Sequence, residues 1–303
     1  MSRRARLSRR AVLALVLVAA ALGAVIVVTA AGRLPWSSRP PAQAVDAFPD
    51  PGLIHVHGLG VDPADGALYA ATHGGLFRLP DPSSGAAVRV ADRWQDTMGF
   101  TVTGPNQFIA SGHPDLREDR PVLLGLIQTR DAGSTWQPLS LEGRSDFHNL
   151  QPTTAGLYGY DSTAEQLLLT QDRRRWQPRA QLVLTALAAD PAGDGKTLLA
   201  ADAQGRARRS EDGGRSFTRV PDAPRLSSLT WSPSGPVYGV TPTGTVVRSQ
   251  DQGLTWQTRG TLAGPTEALV ATDTSTLYAA TGTGIYRSLD GGATFTLRYR
   301  TTP

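Results

Sequence analysis

Four stretches of this 303-residue chain nearly coincide: "TRDAGSTW" at 129–136, "SEDGGRSF" at 210–217, "SQDQGLTW" at 249–256 and "SLDGGATF" at 288–295. A fifth, "TQDRRRW" at 170–176, keeps Asp172 and Trp176 but loses the glycine and one residue of spacing. Their aspartates, Asp131, Asp172, Asp212, Asp251 and Asp290, then stand 41, 40, 39 and 39 residues apart. A period near forty restricts the fold more than any other feature, because each unit must be one small element that buries its face against the next. Inside each unit, short apolar runs alternate with turn residues, as in "LYAAT", "IYRS", the box and "TFTLRYR" of the last one. Four short strands per unit predict an all-β chain, and their repetition predicts propeller blades. The second strands "ALYAATH", "QFIASGH", "GLYGYD", "TLLAAD", "PVYGVT" and "TLYAAT" count six blades, from about residue 51 to the end.

The box has a mechanical reading. Its Ser or Thr hydroxyl and its Asp carboxylate bond the amides of the turn between strands three and four, and its glycine accepts positive φ. The Trp or Phe that follows packs between blades. These aspartates are scaffold rather than chemistry. Matching "GLFRLPD" at 75–81 to "GIYRSLD" at 284–290 adds a register mark at Asp81, fifty residues before Asp131, which predicts an insertion of about ten residues. The units begin at strand one and end at strand four, so the last blade is expected to meet the first by side-chain packing alone.

Charge divides the chain. Seven of its 30 basic residues and none of its 26 acidic ones precede Val45, so the remainder carries 23 basic against 26 acidic residues. The remainder is thus no nucleic-acid surface. The basic tail, residues 1–10, leads into 22 uncharged residues at 11–32, long enough to cross a bilayer as a transmembrane signal-anchor. Five arginines ahead of this span predict a cytoplasmic tail and an extracytoplasmic remainder on a single-pass membrane protein. Secretion after cleavage at "AQA", 42–44, is the alternative. Residues 33–50 read as a Pro-rich linker and 51–303 as the propeller. There is no cysteine, which removes disulfides, thiolate metal sites and a cysteine nucleophile.

On the strength of S-x-D-x-G-x-T-W, the chain resembles the Asp-box (BNR repeat) propellers over its whole ectodomain. That family includes sialidases, other glycoside hydrolases, sortilin-type receptors and photosystem II assembly factors. "HVHGLGVDP", "THGGLF", "SGHPD" and "DFHNL" look like a narrower set of bacterial exported proteins labelled glycosyl hydrolase or exo-sialidase. The resemblance implies that box turns share one rim and that ligands bind at the other, where the loops between strands two and three lie.

All five histidines then fall on that second rim. His73 and His113 follow equivalent second strands, His55 and His57 open the innermost strand of blade 1, and His148 matches His57. The same position is Met98 in blade 2 and about Thr185, Ser227 and Glu267 in the later blades. Imidazoles with a thioether suit copper or zinc, so His55, His57, Met98 and His148 are the candidate metal ligands. His73, His113, Asp115 and Glu267 are candidates for binding a small polar ligand, a glycan or a protein partner. The insertion is placed at 113–125, where it brings Asp115, Glu118 and Asp119 beside His113 and forms a lid or partner contact.

The alternative activity is a sialidase-like glycoside hydrolase. It requires an arginine clamp on a carboxylate, an activated tyrosine and an acid. Arg78 of "FRLP" aligns with Arg209, Arg248 and Arg287 ahead of the boxes and reads as scaffold. Tyr160, Asp161 and Glu165 are the candidate catalytic residues. A third reading is a protein-interaction or assembly-factor propeller.

Overall fold

A computed structural model of the chain describes Asp50, residues 52–80 and residues 86–301. The expected tail and anchor, the linker apart from Asp50, and the mark at Asp81 lie outside these. Among the described residues no helix is long and apolar enough to cross a membrane.

The described residues form twenty-four strands in six four-stranded antiparallel sheets, each built from consecutive strands. The six first strands are Val56–Val61, Asp96–Gly104, Phe147–Thr153, Leu184–Ala189, Ser228–Trp231 and Thr266–Ala271. Each lies against the next and the sixth lies against the first, so the sheets close into a six-bladed propeller. Burial follows radius. The second strands Leu68–Thr72, Leu198–Asp202 and Val237–Val240 are buried at every position, because neighbouring blades cover both faces. The outer strands, such as Gln137–Ser140, are short and polar, which protects the free edges.

Apolar clusters sit between blades rather than within them. Leu199, Ala201 and Ala207 of blade 4 pack with Leu229, Trp231 and Val237 of blade 5. At the seam, Val56, Leu68 and Phe77 of blade 1 pack with Ala268, Ala280 and Ile285 of blade 6. Among the described residues, closure rests on side chains and every sheet is built from consecutive strands. One polar clasp adds to it: the Val56 amide donates to Glu267 Oε2 at 2.9 Å across the seam. A hydrogen bond to a charged group contributes about 1.5–3 kcal/mol, so Glu267→Ala should lower Tm by roughly 4–8 °C. An unchanged melt by circular dichroism would assign closure to the apolar cluster alone.

The box turns have the expected bonding. Ser210 Oγ donates to Asp212 Oδ1 at 2.8 Å and accepts from the Gly214 amide at 2.9 Å, while the Ser216 amide and hydroxyl donate to the Asp212 carboxylate. Asp131, Asp251 and Asp290 repeat the pattern. Hydroxyls from Ser216, Thr255 and Thr294 are the largest influence holding the carboxyls of Asp212, Asp251 and Asp290 below the usual range. In the degenerate copy, Arg173 takes the left-handed conformation at φ +59°, and Asp172 caps the amides of Arg174 and Arg175. The box glycine also touches the preceding blade: a Cβ on Gly133, Gly214, Gly253 or Gly292 would meet Leu76, Leu167, Leu199 or Val246 within 2.8 Å.

Candidate functional site at the channel mouth

The first strands enclose a channel of about 730 Å³. Its lining includes His57, Met98, His148, Thr185, Ser227 and Glu267, the six positions aligned from sequence. Local geometry explains why these side chains reach it. Pairing passes from Val56↔Thr72 to Gly58↔Ala71, which leaves His57 as an extra residue in a β-bulge. Bulges likewise take in Met98, His148, Thr185 and Glu267. A bulge kinks a strand and re-aims its side chain, here at one end of every first strand in five blades. The opposite end of the lining carries Pro63, Pro152, Pro191 and Pro233.

Three imidazoles meet at the bulged end. The His55 ring stacks on His73 at 4.8 Å, and His57 stands edge-on to both. One ligand atom from each of His55, His57 and His73 lies within 4.8 Å of the others. His55 adopts φ +46°, a left-handed conformation that costs a non-glycine residue stability and that persists where the surroundings hold it. Here the stacking with His73 and the Val56 clasp hold it.

Asp96 is the hub behind these rings. Its Oδ1 is 2.9 Å from His73 Nδ1 and its Oδ2 is 3.1 Å from His113 Nδ1. It also lies 3.9 Å from His57 Nε2. A carboxylate that accepts from Nδ1 fixes the tautomer and leaves the Nε2 lone pair available, the arrangement found behind metal-bound imidazoles. His148 Nε2 pairs with Asp146 Oδ2 at 2.8 Å. Burial raises the Asp146 carboxyl, but hydrogen bonding from His148 and the nearby His113 outweigh it and the net direction is down.

Burial, followed by the charges of His73 and His55, pushes the His57 imidazole down from 6.5 to about 4. The ring is therefore neutral at physiological pH, and its Nε2 lies 3.2 Å from His73 Nδ1. The folded value lies below the unfolded one, so between pH 6.5 and about 4 the unfolded chain binds a proton that the folded chain refuses. Stability of the metal-free protein should fall as pH drops through that window, by at most on the order of 3 kcal/mol. Thermal melts in chelator would show it, and a slope identical in His57→Gln would assign the loss to other groups.

His73 joins His55 and His57, whereas Met98 and His148 line the channel outside that group. Glu267 clasps Val56 and lies 3.9 Å from His55 Nδ1. The insertion is the loop between Gln107–His113 and Leu126–Thr129, as expected. Its Asp115 is buried, accepts from the Trp94 amide and binds Arg117, which holds its carboxyl low. Glu118 pairs with Arg93. Tyr160 donates to Leu182 O and accepts from the Leu184 amide, and burial raises its pKa rather than activating it. Asp161 caps the turn amides of Thr163 and Ala164. Glu165 lines a side pocket with His148 and Tyr160. Arg78 pairs with Asp65 and lies opposite Tyr69, as Arg248 lies opposite Tyr238 and Arg287 opposite Tyr278.

Asp96 and Asp146 escape the sequence reading. Both stand two residues before the aligned mouth positions Met98 and His148, as His55 stands before His57. Extending the blade alignment by two residues would have found them.

No protein-family model matches the chain, and no curated protein matches it. Solved structures do. A gluconolactonase from Xanthomonas campestris has TM-score 0.61 at 14% identity, over 79% of this chain and 87% of its own. A chain of a nidogen–laminin complex gives 0.60 at 11% identity, over 77% and 93%. A YCF48 protein bound to a D1 peptide gives 0.52 at 16% identity, over 82% and 83%. At such identities the likeness shows the fold alone: this chain is a β-propeller whose neighbours have varied functions.

Proposed function

We propose that this protein is a binding propeller of the Asp-box kind, carried on the outer face of a membrane by residues 11–32, that captures copper(II) or zinc(II) at its channel mouth. One observation carries the reading: the ligand atoms of His55, His57 and His73 lie within 4.8 Å of one another. Around a tetrahedral zinc with bonds of about 2.0–2.1 Å, donors sit roughly 3.3 Å apart. His55 and His73 are half-exposed and can swing inward at little cost. Imidazole donors suit zinc and copper, and Asp96 supplies the orienting carboxylate behind them. Three imidazoles leave one position open toward the channel.

The channel lining argues against the sialidase reading. Its residues include neither lysine nor arginine, so it offers no clamp for a carboxylated sugar. A protein partner at the same rim is the second reading. The inserted loop is pinned by Asp115–Arg117, Arg93–Glu118 and Arg120–Glu142 pairs, yet presents Leu116 fully exposed. Two of the structural neighbours are seen with a peptide or in a protein complex.

The test uses the full-length protein, stripped with chelator, exposed to zinc(II) or copper(II), gel-filtered and submitted to elemental analysis. Retention of at least one ion per chain is expected. No retained ion would overturn the reading, and glycoside hydrolysis lost in Glu165→Gln would favour the hydrolase instead.

A further inference from the structure

We infer that the mouth holds a second transition-metal ion beside the first, taken by His113, Asp146 and His148. The inference rests on the reading of the mouth as a metal site, and it begins from a surplus of donors. A tetrahedral zinc accepts four ligands. His55, His57 and His73 with one open position complete such a site, which leaves two imidazoles and a buried carboxylate on the same rim.

Asp96 treats the two sets alike. Its Oδ1 faces His73 Nδ1 and its Oδ2 faces His113 Nδ1, at 2.9 and 3.1 Å. One carboxylate thereby orients one imidazole of each set, and each ring keeps its Nε2 for an ion. Asp146 supplies the independent observation. It is 5% exposed, and its Oδ2 accepts from His148 Nε2 and Ser162 Oγ. Its Oδ1 is buried and has no hydrogen-bond partner. A buried carboxylate oxygen without a donor is costly and rare in folded proteins, and a cation would satisfy it. His113 and His148 both lie within electrostatic reach of this carboxylate. Two imidazoles and one carboxylate are a donor set for zinc(II) or copper(II), the same class as the first ion.

The two sites differ in readiness. Among the described residues only His55, His57 and His73 already stand at metal-binding spacing. At the second site His113, Asp146 and His148 must first close on the ion. The first ion is therefore bound tightly and the second more weakly.

Zinc(II) titrated into the full-length, metal-free protein should bind in two steps by calorimetry, and elemental analysis should count two ions per chain. Asp146→Asn and His148→Gln should each retain one ion and the tight step, whereas His57→Gln should lose the tight step. With copper(II) at two equivalents, electron paramagnetic resonance should show two copper environments in the parent and one in Asp146→Asn. If Asp146→Asn fails to fold by circular dichroism, His113→Gln replaces it. A single ion per chain, or a second ion bound unchanged in Asp146→Asn and His148→Gln, would overturn the second site and leave the first standing. No ion at all would overturn both.

Discussion

Replacing His57 with alanine should weaken zinc(II) binding at the mouth by at least about 100-fold. Loss of a group that only orients a metal ligand costs roughly 10–100-fold, and in the proposed site His57 is itself a donor in contact with both other rings. Burial already favours its neutral form, so an ion entering the proposed site would displace little proton from this ring. The alanine removes the central ring and leaves His55 and His73 as an exposed pair. Competition with a chromophoric chelator reads the affinity. His148→Ala serves as the contrast, since that ring lies outside the three-imidazole group and its loss should spare the tight step. Equal affinities for parent and His57→Ala would place the ion elsewhere.

Gly253→Ala should cost roughly 2–5 kcal/mol, a Tm drop of about 5–15 °C for a propeller of this size. Two effects combine. Gly253 sits at φ +85°, where a Cβ is strained, and that Cβ would lie 2.4 Å from Leu199 Cδ1. Leu199 is buried in the cluster between blades 4 and 5 and has nowhere to go. Gly264→Ala isolates the backbone effect: it has φ +89° but nothing within 4 Å of the added carbon, so only about 1–2 kcal/mol is expected. Equal losses for the two variants would remove the box glycine from the blade contact.

The fold was readable because its period is written in residues that do mechanical work. Asp212, Gly214 and Ser216 must recur to build one turn, so their spacing counts blades even where Asp172 has lost its glycine. The alignment of second strands also placed His73 and His113 on the histidine rim and located the insertion at one loop. The proposed anchor at 11–32 lies outside the described residues. What escaped was the identity of the carboxylates. Asp115 follows His113 by two residues and was expected beside it, yet Arg117 and the Trp94 amide draw it into the loop's own structure. Asp96 opens the first strand of blade 2, 17 and 23 residues from His113 and His73, so proximity in sequence gives no hint of its pairing with them, whereas Asp146 stands two residues before His148 and just outside the aligned positions. Likewise Met98 shares the bulge position with His57 and His148, but a bulge dictates only that a side chain faces the channel. Which rings then meet depends on the loop after the second strand, and that loop brings His73 rather than Met98 to His55 and His57.

The most direct measurement is a crystal of the protein grown with zinc(II), with data collected on both sides of the zinc absorption edge. An anomalous peak among His55, His57 and His73, on the channel side of Asp96, is the expected result. Zinc bound only away from those three rings, or no peak at a concentration that saturates the protein in solution, would contradict it.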